Sequence, residues 1–225
     1  MLHGCLLVRN ESGRWLEKVL EQMKICDDIV VLDDGSTDDT PDICRSYGAD
    51  VFYSDRSYWG TNELKQRKFL WELATHGARE SDWIICLDAD ETFDHPELVK
   101  SYILQADNAG CNGLGFPLYD MWSETHYRND ELWNAHLRPW VMAVKYEKKD
   151  WYWRETALHC GRFPMNAGCK IATCPVRIQH WGWSRPEDRR IKFDRYMKAD
   201  PNGKNGSLEQ YLSIMDENPN LRRFT

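Results

Sequence analysis

Two carboxylates stand one residue apart at Asp88-Ala89-Asp90, directly after the apolar run Trp83-Ile84-Ile85-Cys86-Leu87. Such a pair occurs often by chance, and its weight comes from its place at the end of a buried strand. With the intervening side chain directed elsewhere, both carboxylates can approach one site. Unpaired they repel, so a cation between them is the natural resolution. The alternative is a turn or helix-capping role for one of them. A second acidic pair, Asp33-Asp34, closes the run Asp28-Ile29-Val30-Val31-Leu32 and precedes Gly35-Ser36. Hard oxygen ligands of this kind suit a divalent cation.

These acids need strands and helices to aim them. Cys5–Val8, Asp28–Leu32, Ala49–Tyr53 and Trp83–Leu87 read as buried strands. Helical spacing of Trp15, Leu16, Val19, Leu20 and Met23 fills the first interval. A short helix with Thr40 as cap, Pro41 at its first position and Gly48 as its stop fills the second. A helix from Asn62 to about Thr75 fills the third, and Asp94 is expected to cap a helix starting at Pro96. Repeated strand–helix–strand units with near-continuous apolar strands imply a mostly parallel, Rossmann-like α/β sheet covered by helices on both faces. Ligands bind outside the carboxyl ends of such strands, where strand order reverses, and both acidic clusters fall there.

The second half is less regular. Gly113–Leu118, Arg138–Lys145 and Val176–Gln179 read as strands. Ser184-Arg185-Pro186-Glu187 has the capping-box spacing and opens a helix to about Lys198. One domain over 1–200 is expected, with a nucleotide-binding half (1–110) and an acceptor-side half (111–200). The tail 201–225, rich in Asn, Gly and Pro, reads as loop-like or loosely attached. Seven of the eleven tryptophans lie between Trp122 and Trp183. They serve either core packing or a wall for the C–H faces of sugars.

The 225 residues carry a net charge of −7, which disfavours nucleic-acid and anionic-membrane surfaces. No run approaches a membrane span, and Arg9 interrupts the only N-terminal apolar stretch, so a cytoplasmic protein with reduced thiols is expected. Cys160, Cys169 and Cys174, beside His159, lack paired C-x-x-C spacing and read as ordinary thiols rather than zinc ligands.

Three segments in order resemble family 2 glycosyltransferases of the GT-A fold. They are Leu6-Leu7-Val8-Arg9-Asn10-Glu11, the run from Val30 through Asp33-Asp34-Gly35-Ser36 to Thr40, and Trp83 through Asp88-Ala89-Asp90-Glu91. Ile178-Gln179-His180-Trp181-Gly182-Trp183 resembles the family's closing strand. The resemblance implies transfer of a sugar from a nucleotide diphosphate donor, with a UDP-sugar favoured. It places Asn10 and Glu11 beside the base and ribose, and Asp34, with Asp33, as hydrogen-bond acceptors there. Lys65 and Arg67 would face the nucleotide, although an exposed helix face would suit them equally. Asp88 would touch the ribose or the metal, while Asp90 and His180 would hold Mn²⁺ or Mg²⁺. Arg185, Arg189 and Arg190 could neutralise the diphosphate.

Inverting members of the family use a carboxylate base on the acceptor side. Asp120, Glu124, Asp130, Glu131 and Glu155 are candidates by position. Glu155–Gly161 resembles a stretch that reads His-Glu in some relatives, with Cys160 standing in place of that Glu. Glu155 and His159 are therefore taken as the catalytic pair. The acceptor is expected to be a glycan, a cell-surface polymer or a protein. Three other readings remain: a non-catalytic sugar-binding relative, a sugar-nucleotide hydrolase and a nucleotidyltransferase. The last would need a Gly-rich, Arg-containing loop that Arg9-Asn10-Glu11-Ser12-Gly13 does not supply.

Overall fold

Apolar runs too short for helices and rich in Ile, Val and Leu become central strands, because only a sheet covered on both faces hides every side chain. The computed structural model describes residues 1–225. Its first half runs β1 (Leu2–Val8), α1 (Leu16–Met23), β2 (Asp28–Asp33), α2 (Thr40–Ser46), β3 (Asp50–Tyr53), α3 (Glu63–Ala74) and β4 (Trp83–Asp88). The second half runs β5 (Glu91–Phe93), α4 (Val99–Asn108), β6 (Gly113–Asp120), β7 (His126–Arg128), β8 (Pro139–Lys145), β9 (Ile171–Thr173), β10 (Ile178–His180), α5 (Pro186–Ala199), α6 (Leu208–Ser213) and β11 (Leu221–Arg223).

The main sheet has the order β3-β2-β1-β4-β8-β6-β10-β5, with β9 pairing on β6. Strands β8 and β5 run antiparallel to their neighbours, and the rest are parallel. Register does the positioning. Val8 lies beside Asp33, and Leu7 beside Asp88. His180 lies beside Asp120 on one side and Glu91 on the other. Five polar strand ends thus share one edge of the sheet.

Alternation along the strands feeds two cores. Leu6, Val31, Ile85 and Leu87 pack with α1 and α4, while Cys5, Val30, Leu32, Ile84 and Cys86 pack with α3. Burying a Leu- or Ile-sized side chain is worth roughly 1.5–3 kcal/mol, so a slip of one residue in any central strand, which swaps its faces, is strongly disfavoured.

Several local expectations are corrected. Asp39, not Thr40, is the N-cap position of α2, and the Thr40 hydroxyl accepts the Glu11 N–H. Asp94 does not cap the helix after Pro96; its carboxylate takes the Arg177 backbone N–H and Nε–H at 2.9 and 2.6 Å. The Ser184 capping box does not form, since the Ser184 hydroxyl donates to the Trp181 carbonyl and α5 begins after an uncapped Arg185. The asparagine cap of α3 does form: Asn62 Oδ1 accepts the Lys65 N–H.

The C-terminal segment is not a loose tail. Strand β11 pairs antiparallel with β7, and α6 docks on α5 through Tyr211, stacked on Tyr196 with ring centroids 4.7 Å apart. Arg128 is the fastener. It is buried, donates to the Ser213 carbonyl and to the Asp130 and Asp216 carboxylates, and lies over the rings of Trp122 and Trp133. No helix is long and apolar enough to cross a membrane. Removing Arg128 leaves the buried Ser213 carbonyl without its donor and loosens the more exposed Asp130 and Asp216, so Arg128→Ala is expected to lower the unfolding free energy by about 2 kcal/mol in urea titrations. Hydrogen exchange should show the β7–β11 amides losing protection first.

Candidate active site

Two cavities open at the carboxyl edge of the sheet and share a wall formed by Glu63, Arg67, Asp88, His159, His180, Trp183 and Tyr196. The smaller, about 270 Å³, lies over the β1–β4 boundary where strand order reverses, and Glu11, Asp34 and Asp90 line it. The larger, about 560 Å³, extends towards Trp133, Trp140, Phe163 and Tyr211.

Asp34 is buried, with its carboxylate taking the Tyr58 N–H at 2.9 Å and the Ser57 hydroxyl at 2.7 Å. Asp33 has a different duty. Its Oδ1 accepts the N–H groups of Gly35 and Ser36, shaping the turn, and its side chain lines neither cavity. Asn10 likewise works on the backbone: with φ of +54°, it accepts the Thr37 N–H at 2.8 Å and ties the loop after β1 to the loop after β2. Glu11 faces the smaller cavity, paired with Arg14 at 3.4 Å.

The two acids of Asp88-Ala89-Asp90 diverge. Asp88 sits between two buried guanidinium groups, Arg67 at 3.1 Å and Arg162 at 3.0 Å. Burial opposes its charge, but Arg162 and Arg67 hold its carboxyl below the usual range. Asp90 turns to the other side, where Lys192 Nζ is 2.9 Å and His180 Nε2 3.5 Å from its Oδ2. Here too burial is overcome, by Lys192 and then His180, and the carboxyl falls well below its ordinary value. His180 Nδ1 meets Asp120 Oδ1 at 2.8 Å. Burial works against the imidazolium, yet Asp90 and the Asp120 hydrogen bond raise His180 to about 10. Glu91 is almost wholly buried and accepts the Asp88 N–H while pairing with Arg162. Burial raises its carboxyl despite that partner.

The strand-end acids, Arg67, His159 and His180 therefore meet at one place. No group of three His, Cys, Asp or Glu side chains converges tightly enough to hold an ion alone, so Asp88 does not join Asp90 and His180 in a ready-made cluster. Lys65 lies outside both cavities, over the Tyr58 ring and hydrogen-bonded to its hydroxyl. Glu155 is exposed, pairs with Lys68 at 3.2 Å and lines neither cavity. His159 is held with φ of +56° and its Nε2 lies 3.1 Å from the Tyr211 hydroxyl. Arg185 and Arg189 bond backbone carbonyls of Gly13, Trp122 and Trp183. The cations of α5 that reach the smaller cavity are Lys192 and Arg195, three residues apart on one face.

Arg162, Lys192, Glu63 and Tyr211 were absent from the residues singled out in the sequence. Lys192 and Arg195 could have been found from the i, i+3 spacing on α5. Arg162 and Tyr211 come from irregular segments whose path no periodicity gives.

The Trp-rich stretch divides its labour. Trp122, Trp133 and Trp183 form a small core of their own with Ile214, and Trp133, Trp140 and Trp183 also line the larger cavity.

The model of glycosyl transferase family 2 matches residues 10–168. The chain belongs to that family. An uncharacterized Mycobacterium tuberculosis protein is 24% identical over 209 residues, 85% of this chain and 49% of its own length. The 4,4'-diaponeurosporenoate glycosyltransferase of Staphylococcus aureus is 32% identical over 113 residues, 47% of this chain and 28% of its own. The chain thus spans about half the length, or less, of these curated relatives. Staphylococcus aureus TarS in complex with UDP superimposes with a TM-score of 0.56 at 17% identity, covering 96% of this chain and 70% of TarS. Glucosyl-3-phosphoglycerate synthase from Mycobacterium tuberculosis, in complex with Mn²⁺, UDP and glucosyl-3-phosphoglycerate, gives a TM-score of 0.51 at 17% identity, covering 90% and 82% of the two chains. The fold of this family 2 member is GT-A.

In this glycosyltransferase-family site Glu11 carries a pH signature. Burial, reinforced by the charge of Asp90, pushes its carboxyl up to about 7, well above the ordinary glutamate value. The folded chain then holds the Glu11 proton more tightly than the unfolded chain, so this group's contribution to stability falls as pH rises through that interval. Glu11→Gln is expected to melt several degrees above the parent at pH 8, with the gap closing by pH 5, in thermal scans at both pH values.

Proposed function

We propose that the protein transfers a sugar from a nucleotide diphosphate donor, with UDP favoured as the nucleotide, to an acceptor lodged in the tryptophan-lined cavity. The observation that carries this reading is the meeting of Asp90 Oδ2 and His180 Nε2 at the carboxyl edge of the sheet, Asp90 facing the smaller cavity and His180 standing in the wall that both cavities share. TarS binds UDP in its complex, and glucosyl-3-phosphoglycerate synthase binds UDP with Mn²⁺, on the same fold.

The donor set fits a divalent ion. Asp90 offers a carboxylate oxygen, and His180 offers Nε2 while Asp120 anchors Nδ1, the carboxylate–histidine pairing that orients a metal-bound imidazole. Lys192 shows that a cation is accommodated between them. Asp90 and His180 would hold Mn²⁺ or Mg²⁺, with the remaining ligands from the donor's phosphates or water. Such an ion supplies positive charge where the leaving diphosphate develops its negative charge.

The chain's own groups do the rest. Asp34, Glu11 and the Asn10 turn shape the nucleotide end of the smaller cavity. Arg67 and Arg162 fix the Asp88 carboxylate for the ribose or sugar. Arg162 Nη1 is buried without a partner in the protein, a donor that a sugar hydroxyl or phosphate oxygen would satisfy. In the larger cavity the exposed Trp140, beside the buried Trp133 and Trp183, is the indole that a glycan could meet, whether free, on a cell-surface polymer or on a protein.

The base for an inverting transfer is assigned to Asp120 rather than Glu155. Asp120 lines the larger cavity, and its Oδ1 takes His180 Nδ1 and the Trp183 indole, leaving Oδ2 for the acceptor's proton. Glu155 points elsewhere.

Two measurements test this. Calorimetric titration of UDP with Mn²⁺ should show tight binding to the parent, and Asp90→Asn should lose at least about tenfold, as expected for a lost charge-assisted ligand. Equal binding by parent and variant would sink the site assignment. At saturating Mn²⁺, Asp120→Asn should lower sugar transfer by about 10²-fold or more, whereas Glu155→Gln should stay within about twofold of the parent.

A further inference from the structure

Lys192 occupies an unusual position for a lysine on a surface helix. Its ammonium is 2.9 Å from Asp90 Oδ2, 3.4 Å from His180 Nε2 and 4.4 Å from the Trp183 ring centroid. It stands where the proposed metal's two protein ligands converge. The approach is built into the chain, because a Cβ on Gly182 would collide with both the Lys192 ammonium and Asp90 Oδ2. A side chain there would push the α5 cation and the strand-end acid off this meeting point. Arg195, one turn further along α5, lines the same cavity, so the helix presents two positive charges towards the donor's diphosphate.

An ammonium and a divalent ion cannot share this point. Two like charges a few ångströms apart in a partly solvated site repel strongly, and a divalent ion doubles that repulsion. A lysine, with four flexible carbons, can leave. Without Lys192, the buried Asp90 carboxylate would keep only His180, 3.5 Å away and shared with Asp120, as its partner whenever the donor is absent.

We propose that Lys192 is a displaceable internal counter-ion. It neutralises Asp90 while the donor site is empty, yields that position when metal arrives with the nucleotide, and moves its ammonium onto the donor's diphosphate. Metal and nucleotide then bind cooperatively, because each removes the obstacle to the other. This rests on the reading of Asp90 and His180 as metal ligands.

The test measures Mn²⁺ affinity directly, by the electron paramagnetic resonance signal of the free ion, for the parent and for Lys192→Met, each with and without UDP. Lys192→Met should bind Mn²⁺ without nucleotide at least about tenfold more tightly than the parent, as removal of a competing charge requires. Its gain in Mn²⁺ affinity on adding UDP should be smaller than the parent's, and its UDP affinity at saturating Mn²⁺ should be about tenfold weaker for want of one phosphate contact. Lys192→Arg, whose longer fork keeps the charge, should restore the weak nucleotide-free binding of Mn²⁺. A merely structural lysine would give a variant that binds both ligands worse, and that result overturns the proposal. Equal nucleotide-free Mn²⁺ affinity in parent and Lys192→Met overturns it as well while leaving the metal ligands in place. Failure of every protein to bind Mn²⁺ even with UDP would overturn the metal reading itself and the proposal with it.

Discussion

Negative charge crowded at the ends of adjacent strands has to be compensated, and the compensation organises the whole carboxyl edge of the sheet. Glu11, Asp34, Asp88, Asp90, Glu91 and Asp120 all reach this edge. Each finds a different answer. Asp34 is satisfied by a backbone N–H and a hydroxyl, Asp88 by two arginines, Asp90 by lysine and histidine, Asp120 by histidine and tryptophan. Glu11 has only a long contact with Arg14, and it is the one whose proton is held to near neutrality. The cations come from α3, from the segment after His159 and from α5, which is why elements far apart in sequence pack over one place.

That packing also explains the two-cavity plan. Asp88 and Asp90 stand two residues apart but face different ways, since β4 ends at Asp88 and Ala89-Asp90 form a turn in which strand alternation no longer holds. Asp88 and Arg67 stand in the wall both spaces share, with Arg162 on the larger side, while Asp90 faces the smaller space and Lys192. The register of His180 between Asp120 and Glu91 fixes its backbone, and the Asp120 carboxylate takes its Nδ1. With Nδ1 anchored, the ring turns its Nε2 towards Asp90 and Lys192.

The first half of the fold was legible because its signals are local. Apolar runs of four to six residues, proline at a helix start and asparagine at a helix cap each act within a few residues, and β1 to β4 with α1 to α3 follow them closely. The acidic strand ends were legible for the same reason. What escaped were groups whose partners are distant. Asp94 has the composition of a helix cap, but Arg177 lies on the adjoining edge and wins its carboxylate. Ser184 has capping-box spacing, but the turn at Trp181–Trp183 offers a carbonyl first. Glu155 was singled out by similarity of its neighbourhood, whereas Lys68 on α3 draws it to the surface. The 201–225 segment looked loose because Gly, Asn and Pro dominate it. Its anchoring comes instead from Arg128, which lies far from it in the chain.

That anchoring has a consequence for how the molecule can diversify. Gln210, Tyr211 and Ile214 from the C-terminal segment form part of the larger cavity but none of the smaller one. Substitutions there reshape one chamber while the strands that carry the acids stay untouched. Recognition of one substrate can drift on its own schedule, as a lock can be rekeyed without replacing the bolt.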